Sequence, residues 1–195
     1  MVTISVPVES ESCVSFRVNA GAVAFAGSRN GRVSHSAAVA LVRGFVDLGF
    51  GVLTGCASGI DRCFRSAFHA VPEAAERSIV ACAFEHRARR FSVGEVFASV
   101  VVPQGLSPAT ALHRRTLWVV KHCSLLVLFS DDPRTGRWGR GSGLAFRTAR
   151  TQLKPVFLVT GHPPKPSAFE SIHPSILFGV DGYWIVPEGG PDSEQ

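Results

Sequence analysis

The stretch Gly21-Ala-Val-Ala-Phe-Ala-Gly27-Ser-Arg-Asn-Gly31 decides the fold. Gly21–Ala26 is a short unbroken apolar run, as expected of a strand buried on both faces. Gly27–Gly31 then supplies only small and polar residues, which read as a tight turn. From Ser34 to Leu48, Ala38, Leu41, Val42, Phe45 and Leu48 recur at helical spacing, and Gly49 is a helix stop. Strand, small-residue turn and amphipathic helix in that order begin an α/β unit.

Working outward, the same grammar repeats. Phe50–Leu53 reads as a strand, Thr54–Gly59 as a second small-residue turn, Asp61–Val71 as a helix and Ser78–Phe84 as a third strand. The chain loosens over Glu85–Val96, and Ala98–Val102 is a short β-branched run. Ser107-Pro108 is an N-cap followed by proline at the first helical position, opening a helix to about His122. Ser124–Phe129 is a strand, Ser130–Gly141 a polar loop rich in Gly and Arg, Ser142–Leu153 a helix and Pro155–Val159 a strand. Ile176–Val186 suggests one or two terminal strands. Residues 1–20 alternate weakly and are expected to form an arm or an edge strand. Residues 21–186 form one domain, and 187–195 a solvated tail. The fold class expected is α/β: a Rossmann-like three-layer domain with a mainly parallel sheet.

Composition narrows the classes. The 195 residues are 46% hydrophobic and 18% charged, which excludes a disordered chain. No apolar run reaches the ~18–20 residues of a membrane span, and Met1–Ser10 lacks the pattern of a secretory signal. The five cysteines (13, 56, 63, 82, 123) contain no C-x-x-C pair. They read as reduced thiols in a cytoplasm-like compartment, with no disulfide framework and no structural zinc. Net charge is +5, and 17 of the 20 basic residues are arginine, the side chain suited to phosphate.

Ligands of such sheets bind beyond the carboxyl ends of the strands. Three loops leave those ends and open helices: 27–33, 54–61 and 130–142. They are expected to line one pocket. Gly27 and Ser28 would cradle a phosphate, with Arg29 as counter-charge; the alternative is an ordinary turn with Arg29 in solvent. Gly55, Ser58 and Gly59 would admit the ligand, and Asp61 is either a helix N-cap or an acceptor for ribose or base. Arg115 is either a phosphate clamp or a surface salt bridge. Cys56 is a reactive thiol at a helix start or a small filler. Gly141 and Ser142 complete the third turn. Arg137, Trp138, Arg140 and Arg147 lie in an arginine-rich stretch (with Arg134 and Arg150) where an aromatic could stack on a base. Arg87, Arg89 and Arg90 either extend a basic groove or form a solvated face. Asp131-Asp132 is the one carboxylate pair in these loops. No cofactor and no metal is expected.

These motifs resemble a known family. Ala24–Arg29 resembles the "VGSR" strand and turn of the DNA-processing (DprA/Smf) family, and Thr54–Asp61 resembles its "SGxAxGID" turn. Arg115-Thr116 before Cys123-Ser124 resembles "RN" before "SD". Gly141–Ala149 with Lys154–Phe157 resembles "GSLITARxA…RPVF". The resemblance covers about residues 21–160 in collinear order. It implies membership of the wider SLOG superfamily, which also holds the LOG nucleoside-monophosphate phosphoribohydrolases. It further implies binding of single-stranded DNA or a free nucleotide by these loops, without catalysis and away from membranes. A homodimer is left open. The alternative is a LOG-like nucleotide-cleaving enzyme, whose "PGGxGTxxE" loop carries a carboxylate three residues after its Thr; Gly139–Phe146 has no Glu or Asp, which tilts the expectation away from an enzyme.

Overall fold

In the computed structural model, residues 1–7, 13–94, 96–132 and 138–188 are described. In chain order the elements are β1 (Val2–Pro7), β2 (Cys13–Val18), β3 (Ala22–Gly27), α1 (His35–Asp47), β4 (Gly51–Gly55), α2 (Ile60–Ala70), α3 (Pro72–Ala75) and β5 (Ser78–Cys82). Then come α4 (Glu85–Phe91), β6 (Phe97–Val100), α5 (Pro108–Lys121), β7 (Leu125–Phe129), α6 (Arg140–Thr151), β8 (Val156–Val159), β9 (Glu170–Leu177) and β10 (Val180–Pro187). Eight strands form one sheet in the order β6-β5-β4-β3-β7-β8-β10-β9. The run from β6 to β8 is parallel, while β10 is antiparallel to both its neighbours. This is the expected Rossmann-like α/β architecture with a mainly parallel sheet.

Alternation along the central strands sorts two cores. Val23, Phe25, Val52, Leu125 and Val127 face α1 and α2, where Phe25 stacks on Phe64 with ring centroids 4.1 Å apart. Ala24, Leu53, Leu126 and Leu128 face the opposite layer, which contributes Val119 and Val120 from α5 and Ala145 and Ala149 from α6. With both faces covered, these strands must be apolar throughout, which is what made β3 readable. Ser34 caps α1 by accepting from Ala37 N at 3.2 Å, and Ser107 caps α5 by accepting from Thr110 N at 3.3 Å.

Three regions differ from the sequence expectation. β1 and β2 are not edge strands of the main sheet: they pair antiparallel with each other. Their alternation gives one apolar face, on which Ile4 and Val18 are buried and Phe16 meets Trp184 edge-on at 5.0 Å. Glu85–Phe91 is a helix whose only buried residue is Ala88, so no apolar stripe announced it. It is supported by an exposed Glu85–Arg89 pair at 3.2 Å, with acid in the first turn and arginine in the last. Strand β9 begins at Glu170, well before Ile176, and contains Pro174; as the edge of the sheet it tolerates the missing N–H. Among the described residues no helix is long and apolar enough to cross a membrane.

Candidate phosphate-binding site

The sheet order reverses between β3 and β7, because the chain runs outward one way through β4, β5 and β6 and the other way through β8. The crevice beyond the carboxyl ends at such a reversal is where ligands of open α/β sheets bind. The three expected loops follow β3, β4 and β7, three neighbouring strands, so they stand side by side at this end of the sheet.

The first two turns are locked together. Ser28 is buried; its hydroxyl accepts from Asn30 N at 3.1 Å, and its carbonyl accepts from Gly31 N at 3.3 Å and from Ile60 N at 3.1 Å. Ser58 Oγ donates to the Arg29 carbonyl at 3.2 Å. Gly59, at φ +66°, is where the loops touch: a methyl there would lie 2.2 Å from the Ser28 carbonyl oxygen and 2.4 Å from that of Arg29. No other residue meets both demands, the left-handed backbone and the close approach. Gly27 ends β3 against Ile60 and Phe129. The Arg29 side chain is exposed and has no ion-pair partner among the described residues.

Beneath the second turn lies a buried ion pair. Asp61 and Arg115 are 4% and 8% exposed, and Arg115 Nη1 donates to Asp61 Oδ2 at 3.3 Å. The same oxygen accepts from Ala57 N at 3.1 Å, which closes the turn. Asp61 is therefore not the N-cap of α2: that position is Gly59, and the carboxylate reaches back into the turn. Arg115 is likewise not a surface salt bridge, and its buried Nε has no hydrogen-bond partner among the described residues. Gly55 makes room for the pair, since a methyl there would lie 1.8 Å from Arg115 Nη1 and 2.3 Å from Asp61 Oδ2.

The outer side of the second turn is held by two arginines the sequence had not singled out for this task. Arg65 Nη1 donates to the Gly55 and Ala57 carbonyls at 2.8 and 2.9 Å, and Arg87 Nη1 to the Cys56 carbonyl at 2.9 Å. Cys56 is buried beside Cys82, its neighbour across β4 and β5. A hydrogen bond from Cys82, with the charge of Arg115 and contact with Arg87, pushes the Cys56 thiol down to about 5 against the opposing effect of burial. The same hydrogen bond pushes Cys82 up. Residue spacing could not reveal this pair; only the parallel register of β4 and β5 brings it together.

The third turn is occupied from within. Ser142 Oγ donates to Asp131 Oδ1 at 2.6 Å, and Asp131 Oδ2 lies against Gly139, the N-cap of α6. A carboxylate thus sits at the start of α6, where helix N–H groups attract anions. Gly141 is exposed on the first turn of that helix. Trp138 stacks on Phe146 at 4.9 Å and packs against the core, so its ring is engaged by the body of the domain. Arg140 and Arg147 are exposed on α6; Arg134 and Arg137 lie outside the described residues. Among the described residues no group of three or more metal-ligating side chains occurs.

These features define a Rossmann-like domain with its candidate site at the sheet's switch point. More particularly, the fold is DprA-like. DNA processing protein A from Helicobacter pylori, whose structure concerns a single-stranded DNA binding mode, is similar with a TM-score of 0.52 and 17% identity, over 75% of this chain and 66% of that one. DprA from Streptococcus pneumoniae is similar with a TM-score of 0.55 and 17% identity, over 73% of this chain and 51% of that one. The chain spans less than two thirds of the length of either. No family model and no curated protein matches it.

Proposed function

We propose that this domain binds the phosphates of single-stranded DNA at the carboxyl ends of β3, β4 and β7, without chemistry. The observation that carries the reading is Arg29: an exposed arginine at the switch point, on a turn fixed by Gly59 and Ser58. An arginine without a protein partner, presented by a rigid turn, is suited to a phosphate. Asp61 and Arg115 act beneath it, holding the second turn in shape. A nucleic-acid ligand and reduced cysteines fit a cytoplasmic setting. The DNA-binding neighbour from H. pylori supports the choice of a strand over a lone nucleotide.

The test is a series of oligothymidylates from one to about ten nucleotides, bound at several salt concentrations. Each phosphate contact contributes about 0.7 to the log–log salt slope for a single strand. Affinity should rise with length, and Arg29→Ala should lower the slope by about 0.7. An affinity independent of length would replace the strand with a free nucleotide.

A second reading, cleavage of nucleoside monophosphates, is favoured by the placement of Asp131. The carboxylate missing from Gly139–Phe146 is supplied to that turn by the preceding loop, 2.6 Å from Ser142 Oγ. Release of free base that disappears in Asp131→Asn would establish it.

A further inference from the structure

On the far side of the second turn from Arg29, a groove of about 590 Å³ runs between α2 and α4. Cys56, Val80 and Val96 contribute its buried lining. Its polar lining includes Arg62, Arg65, Arg87, Arg90, His69 and His86, with no carboxylate among the described residues and the buried Cys56 thiol as its one acidic group. Arg65 and Arg87 each use one nitrogen, Nη1, to hold the turn, and their other nitrogens make no hydrogen bond among the described residues. Arg65 is braced from behind by the Phe91 ring at 4.2 Å. Arg62 and Arg90 are exposed and carry no ion pair among the described residues. Four guanidinium groups around one open groove repel one another, and an anion relieves that repulsion.

We propose that this groove is a second phosphate site, so that a strand held at Arg29 crosses the turn at residues 57–59 and lays its next phosphates between Arg62 and Arg90. This rests on the reading of the switch-point site given above. The two sites share one wall. Ser58 lines the groove, and its hydroxyl bonds the Arg29 carbonyl, so one turn separates them. A ligand with regularly spaced charges on a flexible backbone suits two basic sites on either side of a ridge. A compact anion fills one of them only. Arg65 and Arg87 shape the groove, whereas Arg62 and Arg90 are free to close on the ligand.

The experiment measures binding of thymidine monophosphate and of oligothymidylates of about four and ten nucleotides to wild type, Arg62→Ala/Arg90→Ala and Arg29→Ala. Both arginines are exposed, so the double variant should keep its fold, and Arg62→Glu/Arg90→Glu repeats the test with reversed charge. The double alanine variant should bind the mononucleotide like wild type and the longest oligonucleotide more weakly. Its salt slope should be lower by about 1.4, two contacts' worth. The ratio of wild-type to variant affinity should therefore fall about sevenfold between 50 and 200 mM salt. Wild-type slope and affinity in both double variants, with the slope still lowered in Arg29→Ala, would overturn the groove and leave the switch-point reading intact. Absence of oligonucleotide binding by wild type would overturn both. Polyglutamate binding with the same dependence on Arg62 and Arg90 would overturn the assignment to a nucleic-acid strand.

Discussion

Removing either member of the Asp61–Arg115 pair tests how the second turn is held. Both are more than nine-tenths buried, and they share Asp61 Oδ2 with the Ala57 N–H. Taking away one partner leaves the other charge uncompensated, at about 3–5 kcal/mol. A domain of this length moves its Tm by about 2–4 °C per kcal/mol, so each single alanine variant should melt about 6–20 °C lower. The double variant leaves no orphan charge and should cost much less than the sum, with a coupling of at least about 2 kcal/mol. Gly55 sharpens the test. Its three nearest obstacles to a methyl are Arg115 Nη1, Asp61 Oδ2 and Arg115 Cζ, at 1.8, 2.3 and 2.6 Å. Gly55→Ala should destabilise the wild type by several kcal/mol, yet add less than about 1 kcal/mol in the double variant, where all three atoms are gone. Calorimetry on the wild type and the five variants decides it. Additive single effects, or a Gly55→Ala cost unchanged by the double variant, would refute the reasoning.

Three further outcomes follow from contacts elsewhere. Glu170 receives two hydrogen bonds from Arg150, which hold its carboxyl below the usual range. Its contribution is complete above the unfolded-chain value near ~4.3 and is lost as pH falls through the lower folded value. Glu170→Gln should thus cost about 1–2 kcal/mol at neutral pH by denaturant titration, and the gap to wild type should close in acid; a gap constant with pH would contradict this. Ultraviolet titration should find one thiolate persisting well below pH 7, absent in Cys56→Ser and shifted upward in Cys82→Ala, whereas titration near the ordinary ~8.5 would reject the pairing. Lys154 Nζ donates to the Val120, Lys121 and Cys123 carbonyls at 2.6, 2.9 and 2.6 Å, closing the end of α5. Lys154→Met should cost about 2–3 kcal/mol in the same denaturant assay, and a loss below about 0.5 would show those bonds to be dispensable.

The legibility of this chain follows the range of the interactions involved. Strand β3 and helix α1 were readable because burial on both faces and helical spacing are local signals. Helix α4 was invisible because a seven-residue helix burying only Ala88 has no periodicity to read. The start of β9 was hidden by Pro174, which only an edge position excuses. At the site, the turns that carry Arg29, Gly59 and Ser142 were legible as small-residue segments. Their internal partners were not. Asp61 and Arg115 stand 54 residues apart, and Asp131 reaches Ser142 across a loop, so only the packed sheet brings each pair together. Local pattern left Asp61 between a cap, which Gly59 fills, and a ligand acceptor, and could not show its buried partner Arg115.

The carbonyls of Gly55, Cys56 and Ala57 all accept from arginines on the outer side of the turn. A peptide segment ordinarily offers a visitor both lone pairs and protons. Here three successive carbonyls each already accept an arginine proton and the Ala57 N–H is given to Asp61, so the outer side of this segment greets an approaching molecule chiefly with guanidinium protons. A cation in search of carbonyl oxygens meets the guanidinium groups already bonded to them. An oxygen-rich anion meets no such mismatch. In the proposed complex the turn would sort ligands by charge and by the direction in which their hydrogen bonds run, a selection that ignores base identity.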